Sequence, residues 1–157
     1  MILRHATKTD IPHLIRLLYQ VHRVHAEGRP DLFRLGNKKY TEEQLSEILQ
    51  DANRPIYVAA DDETNTVCGY AFCIIEEIKD DPSLMDRKTL YIDDLCVDEQ
   101  LRGHHIGTQL YGHVLEKARE LGCYHVTLNV WCLNESAMRF YEKCGLSPLK
   151  VTMEQIL

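Results

Sequence analysis

The chain is arranged around Leu90 to Leu110, LYIDDLCVDEQLRGHHIGTQL. This stretch begins as an apolar run interrupted by Asp93 and Asp94, passes through a polar turn with glycines at 103 and 107, and continues with helical periodicity. Strand, tight turn and helix start in that order build an anion site. The turn lets backbone N–H groups converge, and the unpaired amides and dipole of the first helical turn favour negative charge. Arg102 at the mouth adds a planar cation suited to phosphate oxygens. Many strand-to-helix connections carry glycine only for its backbone freedom, so the stretch needs support from elsewhere. No Gly-Lys-Ser/Thr closes it as a Walker loop, and two glycines fall short of the dinucleotide fingerprint.

Upstream, Pro55 to Ala60 and Val67 to Ile78 are β-rich runs separated by the hairpin signal Asp61-Asp62-Glu63-Thr64-Asn65. A charged linker, Lys79 to Arg87, leads into the fourth strand, Leu90 to Val97. Ile2 to Thr7 reads as a first strand. Thr9 or Asp10 can cap the next helix, Pro12 suits its first turn, and Ile11, Leu14, Ile15, Leu18 and Val21 recur at helical spacing, with His22 and His25 at its end. Ala26 to Lys39 is too polar and Gly/Pro-interrupted for a regular element. Thr41 to Gln44 then makes a capping box for a short helix carrying Leu45, Ile48 and Leu49.

Downstream, Ile106 to Leu121 is a helix stopped by Gly122, and His125 to Trp131 a fifth strand. Asn134 can cap a helix over Ala137 to Lys143, stopped by Gly145, and Pro148 to Ile156 alternates enough for a last strand. The order predicts an α/β chain: one mixed, mostly antiparallel sheet with helices on both faces.

The 157 residues are most simply one domain, 1–157. With 45% hydrophobic and 27% charged residues the composition is that of a soluble globular protein. A net charge of −6 argues against nucleic-acid binding, which wants a basic surface. The N-terminal stretch lacks the apolar core of a signal peptide, and no run approaches the roughly 20 apolar residues of a membrane span. A cytoplasmic location without membrane attachment is therefore expected. The six cysteines, at 68, 73, 96, 123, 132 and 144, lack CxxC spacing and read as reduced core residues, so no metal is expected.

The turn Arg102-Gly103-His104-His105-Ile106-Gly107 resembles the acetyl-CoA signature Arg/Gln-x-x-Gly-x-Gly/Ala of the GCN5-related N-acetyltransferase (GNAT) family, with His105 where the family usually has its first signature glycine. A second segment, Asn134 to Leu146, follows the family's Asn-x-x-Ala-x-x-Phe-Tyr-x-x-x-Gly-Phe pattern through Ala137, Phe140, Tyr141 and Gly145, with Leu146 in the last place. The resemblance implies a single-domain fold whose strands four and five splay apart, with the pantetheine arm of acetyl-CoA between them. Leu95, Cys96 and Val97 on strand four, the turn residues Arg102, Gly103, His104, His105, Ile106, Gly107 and Thr108, and Asn134 and Tyr141 would then hold the cosubstrate.

In the family a tyrosine at the place of Tyr141 often protonates the leaving sulfur. A phenol suits that task because its reference pKa, about 10, is close to that of the thiolate. Asp93, nine residues before Arg102, is where related enzymes often place an acid, so Asp93 or a water chain would take the ammonium proton. Strand alternation points Asp93 and Asp94 to opposite faces, so only one reaches the cleft. The family also lines its acceptor pocket with the region between the first two helices, which places His25, Arg29, Asp31 and Phe33 there. The expectation is an N-acetyltransferase taking acetyl from acetyl-CoA to a small-molecule or protein amine in a ternary complex, in chains that are often homodimers. Cys96 lacks a histidine partner for ping-pong transfer. The alternative is a non-catalytic acyl-CoA-binding sensor or interaction module on the same fold.

Overall fold

The computed structural model describes residues 1–157. Five strands lie in one sheet in sequence order: β1 (Ile2–His5), β2 (Ile56–Ala60), β3 (Val67–Ile78), β4 (Arg87–Val97) and β5 (His125–Leu128). The first three pairings are antiparallel and β4–β5 is parallel. The parallel pair needs a crossover, which α3 (Ile106–Glu120) supplies. α1 (Ile11–Gly28) and α2 (Glu42–Ile48) precede β2, and α4 (Glu135–Lys143) follows β5.

The sheet has a helix layer on each face because alternate residues of its central strands are apolar on both sides. Leu14, Leu17 and Leu18 of α1 and Leu45 and Ile48 of α2 pack on Ile56, Val58, Tyr70, Phe72 and Cys96. Their neighbours one residue along, Tyr57, Ala71, Cys73, Leu90 and Ile92, pack on Leu110, Tyr111, Val114 and Ala118 of α3. Fully burying each of these leucines contributes about 1.5–3 kcal/mol. The capping box of α2 forms as expected, with Gln44 N–H donating to Thr41 Oγ1 and Thr41 N–H to Gln44 Oε1.

Besides small shifts at several strand and helix ends, among them β5 stopping at Leu128 and not at Trp131, three features differ from the sequence reading. α1 runs on to Gly28, so His25 lies within its last turn. Asp10 stands at its N-cap position, but its carboxylate turns back to Arg4, at 2.7 and 3.0 Å, and to Thr7 N–H. Residues 147–157 form no strand. Alternation alone cannot make a strand without a ladder for its N–H and C=O groups, and β5 already ends at Leu128; Leu149, Val151 and Met153 stay exposed.

Candidate active site

β4 and β5 pair only from Thr89–His125 to Ile92–Leu128, while β4 stays bound to β3 as far as Val97. Past Ile92 the two strands part, leaving a gap along residues 93–97. Asp98 N–H donates to Cys68 O at 2.8 Å. Stepping back by two, Cys96 and Asp94 also turn their amides to β3, so the amides of Leu95 and Val97 face the gap.

At the end of the gap, Asp98 accepts from Gln100 N–H and caps a single helical turn, Glu99–Leu101. The chain then reverses through Gly103 (φ +84°) and His105 (φ 60°), both left-handed. The first bond of α3 inside its ladder runs from Gln109 N–H to His105 O, so the amides of Ile106, Gly107 and Thr108 point out of the helix start. Arg102 is exposed beside them, its Nε 3.5 Å from Val97 O, and His104 folds back on the turn with Nδ1 3.2 Å from Leu101 O and Arg102 O. Free amides, a helix dipole and an exposed guanidinium fit the pyrophosphate of a CoA. His105 holds this left-handed conformation at a cost of about 1–2 kcal/mol. Ile106 itself is buried against Ala59 and Cys68 and anchors the turn. At Gly107 an added Cβ would meet Phe140 Cζ at 3.3 Å and Val97 Cγ2 at 3.5 Å, so this glycine also lets α4 pack on the helix start.

Two carboxylates stand in the gap, and the expectation that they face opposite ways is corrected. The β3–β4 register slips between Phe72 and Cys73, which pair with Asp94 and Ile92, so Asp93 is the extra residue of a β-bulge. Asp93 accepts from Tyr40 Oη and Lys39 Nζ, both at 2.8 Å, and Asp94 accepts from Tyr70 Oη at 2.9 Å. Tyr40 and Tyr70 both pack on Phe72, at 5.5 and 4.8 Å between centroids, so both acids reach the same cluster. Arg54 Nη2 donates to Tyr40 Oη at 3.3 Å. Burial pushes the Asp94 carboxyl up to about 6 against the pull of Tyr70 and Lys39, and the Asp93 charge adds to the rise.

Tyr141 lies on α4, half-buried, its ring 5.1 Å from Phe140. Burial, reinforced by the charge of Asp94, raises its phenol well above the ordinary range, so it stays protonated at neutral pH. Burial likewise pushes the Cys96 thiol up to about 12, with Sγ turned toward Leu17 O, which makes it a core residue and not a nucleophile.

Of the four residues expected at the acceptor pocket, His25, Arg29 and Phe33 share one cleft, and Asp31 reaches it only through Arg29. Val24, His25, Arg29, Phe33, Trp131, Leu133 and Asn134 line one cleft. His25 stacks on Phe33 at 5.3 Å, and Trp131 meets Phe33 edge-on at 5.3 Å. Arg29 is gripped from two sides, by Asp31 at 2.7 and 2.9 Å and by Glu154 at 2.6 and 3.2 Å. Asn134 Oδ1 accepts from Ala137 N–H and caps α4, so it joins this cleft to the helix that carries Tyr141.

Sequence reasoning passed over Lys39, Tyr40, Trp131 and Glu154. Trp131 carried a usable signal, being the one tryptophan; the expected strand His125 to Trp131 stops at Leu128, which leaves Trp131 in the loop that follows. Glu154 carried none, because its partner is 125 residues away.

Residues 18–146 match the acetyltransferase (GNAT) family, and the chain belongs to it. The fold and splayed sheet are those of that family, whose members use acetyl-CoA as cosubstrate. Over its whole length the chain superposes on a tetramutant of the BH1408 protein from Bacillus halodurans, with 32% identity, a TM-score of 0.95 and 100% of each chain covered. It is 34% identical over 68 residues to a glucosamine 6-phosphate N-acetyltransferase of Arabidopsis thaliana; the match spans 43% of this chain and 44% of that one. An aminoglycoside N-acetyltransferase in complex with CoA shares the fold at a TM-score of 0.72 and 17% identity, over 99% of this chain and 98% of that one. No helix is long and apolar enough to cross a membrane.

Proposed function

We propose that the protein is an acetyl-CoA-dependent N-acetyltransferase acting by direct transfer to an amine. The observation that carries this reading is the gap between β4 and β5, open at one end to the amides of residues 106–108 and bordered by Asp94 and Tyr141. Arg102 and the amides of Ile106, Gly107 and Thr108 hold the pyrophosphate, and Leu95 and Val97 bond the pantetheine arm along the gap. The same strand amides stabilise the oxyanion of the tetrahedral intermediate.

The ammonium of the acceptor gives up its proton to a carboxylate, and the amine nitrogen attacks the thioester carbon. The C–N bond forms, the C–S bond breaks, Tyr141 gives its proton to the departing thiolate, and the second proton of the attacking nitrogen, shed as the amide forms, restores the Tyr141 phenol. Of the two acids we assign proton acceptance to Asp94 and an anchoring role to Asp93. Burial raises the Asp94 carboxyl to about 6, which suits it to accept a proton at neutral pH as a general base. Asp93 is held by Lys39 and Tyr40 and fixes the α1–α2 connection over the gap.

Calorimetry with acetyl-CoA followed by a free-thiol assay across an amine panel tests the reading. Binding with thiol release on at least one amine is expected. Binding without turnover on any amine would leave an acyl-CoA-binding module instead.

A further inference from the structure

Resting on the acetyltransferase reading, we propose that the acceptor is an amine carrying a second cationic group, bound by the His25–Phe33–Trp131 wall and the carboxylates of Asp31 and Glu154, and not an amine carrying a phosphate.

The cleft offers an anion nothing to hold. Its one guanidinium, Arg29, already spends its Nε, Nη1 and Nη2 donors on two carboxylates. His25 is kept neutral, since burial and the charges of His22 and Lys39 lower its pKa. A phosphate would have to displace Asp31 or Glu154 from Arg29 and then lie beside the expelled charge. Further in, Lys39 is likewise bound to Asp93, and Asp94 receives the hydroxyl of Tyr70. Around the cleft and the gap four carboxylates, Asp31, Glu154, Asp93 and Asp94, stand against Arg29, Lys39 and Arg54; of these only Arg29 lines the cleft itself, with Asp31 and Glu154 on its guanidinium.

For a cation the same surface is favourable. Trp131 is 42% exposed, and indole is the strongest of the aromatic faces for a cation. The half-exposed Asp31 and Glu154 keep lone pairs beyond those given to Arg29. The cleft and the gap are joined by the α1–α2 connection, which carries Phe33 at the one and Lys39, bonded to Asp93, at the other, and by Asn134, which caps the helix of Tyr141. One nitrogen of a diamine can thus stand at Asp94 and react while the other stays protonated against the aromatic wall.

The test compares cadaverine with pentylamine, and glucosamine with glucosamine 6-phosphate, by thiol release at saturating acetyl-CoA. Cadaverine should show roughly tenfold higher kcat/KM than pentylamine, carried by KM, and the phosphate should lower turnover of the sugar. Asp31→Asn combined with Glu154→Gln leaves Arg29 uncompensated and should erase the diamine advantage and reverse the effect of the phosphate. Trp131→Leu, at an exposed position that does not endanger folding, should cut the cadaverine-to-pentylamine ratio several-fold through KM. Equal kcat/KM for cadaverine and pentylamine, or preference for the phosphorylated sugar by the unmodified protein, overturns the inference and leaves the acetyltransferase reading standing. Acetyl-CoA binding with no amine acetylated overturns both.

Discussion

The two ends of the site are built from different material. The proposed cosubstrate end uses the backbone of one continuous stretch: the amides of Leu95 and Val97, the left-handed pair Gly103 and His105, and the first turn of α3. The acceptor end uses side chains from four places, α1, the α1–α2 connection, the loop after β5 and the C-terminal tail. Backbone amides bind any pyrophosphate, whatever the acceptor, so this end can stay constant while the other sets the substrate. Side chains carry the identity of the acceptor because each can be exchanged without disturbing the sheet.

The seam between the ends gives the largest expected effects. Tyr141→Phe keeps the ring and its packing and removes the proton donor. We expect kcat to fall by about 10²- to 10⁴-fold with acetyl-CoA affinity near the starting value in calorimetry. Stability should move by no more than about 1 kcal/mol. A Phe variant with full turnover would take Tyr141 out of the mechanism.

Asp94→Asn should lower kcat by about 10²-fold. Its pH profile is more telling. The acid is protonated below about 6 and cannot accept a proton there, so kcat/KM should rise with pH through about 6 and then level off. The Asn variant should lose that limb, whereas a limb that survives would return the base to Asp93 or to water. Because the folded-state pKa lies above the usual carboxylate value, the ionised group weakens the fold, increasingly as pH rises from about 4 to 6. Asp94→Asn should accordingly stabilise the protein at neutral pH, by an amount on the order of 1 kcal/mol, in denaturant titrations.

At the cosubstrate end, Gly107→Val should weaken CoA binding by at least about tenfold, because a β-branched side chain wedged against Phe140 and Val97 displaces the helix start whose amides meet the ligand. It should also lower the melting temperature, since Phe140 sits 3.3 Å from the new Cβ. Unchanged calorimetric affinity would reduce the turn to a connection. The smallest effect is expected for His105→Gly, which relieves the left-handed strain and should raise stability by up to about 1 kcal/mol. Looser CoA binding in that variant would make the imidazole a ligand contact.

How far each end could be read in advance follows from the same contrast. Arg102, Gly103 and Gly107 announce a turn because their conformations are local demands, and the Asn134 cap and Gly145 stop announce α4 in the same way. The expected acceptor set was half visible: His25, Arg29 and Phe33 do meet, but Trp131 and Glu154 join them only through the fold. Asp93 and Asp94 show where local rules stop. Strand alternation sends them apart, and a single inserted residue opposite the Phe72–Cys73 step brings both to the Tyr40–Phe72–Tyr70 cluster.

By itself the sequence determined most of the elements, the caps at Thr41 and Asn134 and the strand-turn-helix unit, because hydrophobic period, capping side chains and glycine conformations act within a few residues. Only the tertiary structure decided where β4 and β5 part, which acid is left desolvated, and which carboxylates neutralise Arg29. Those depend on register and on groups brought together from as far as 125 positions away, and neither is encoded in any local pattern.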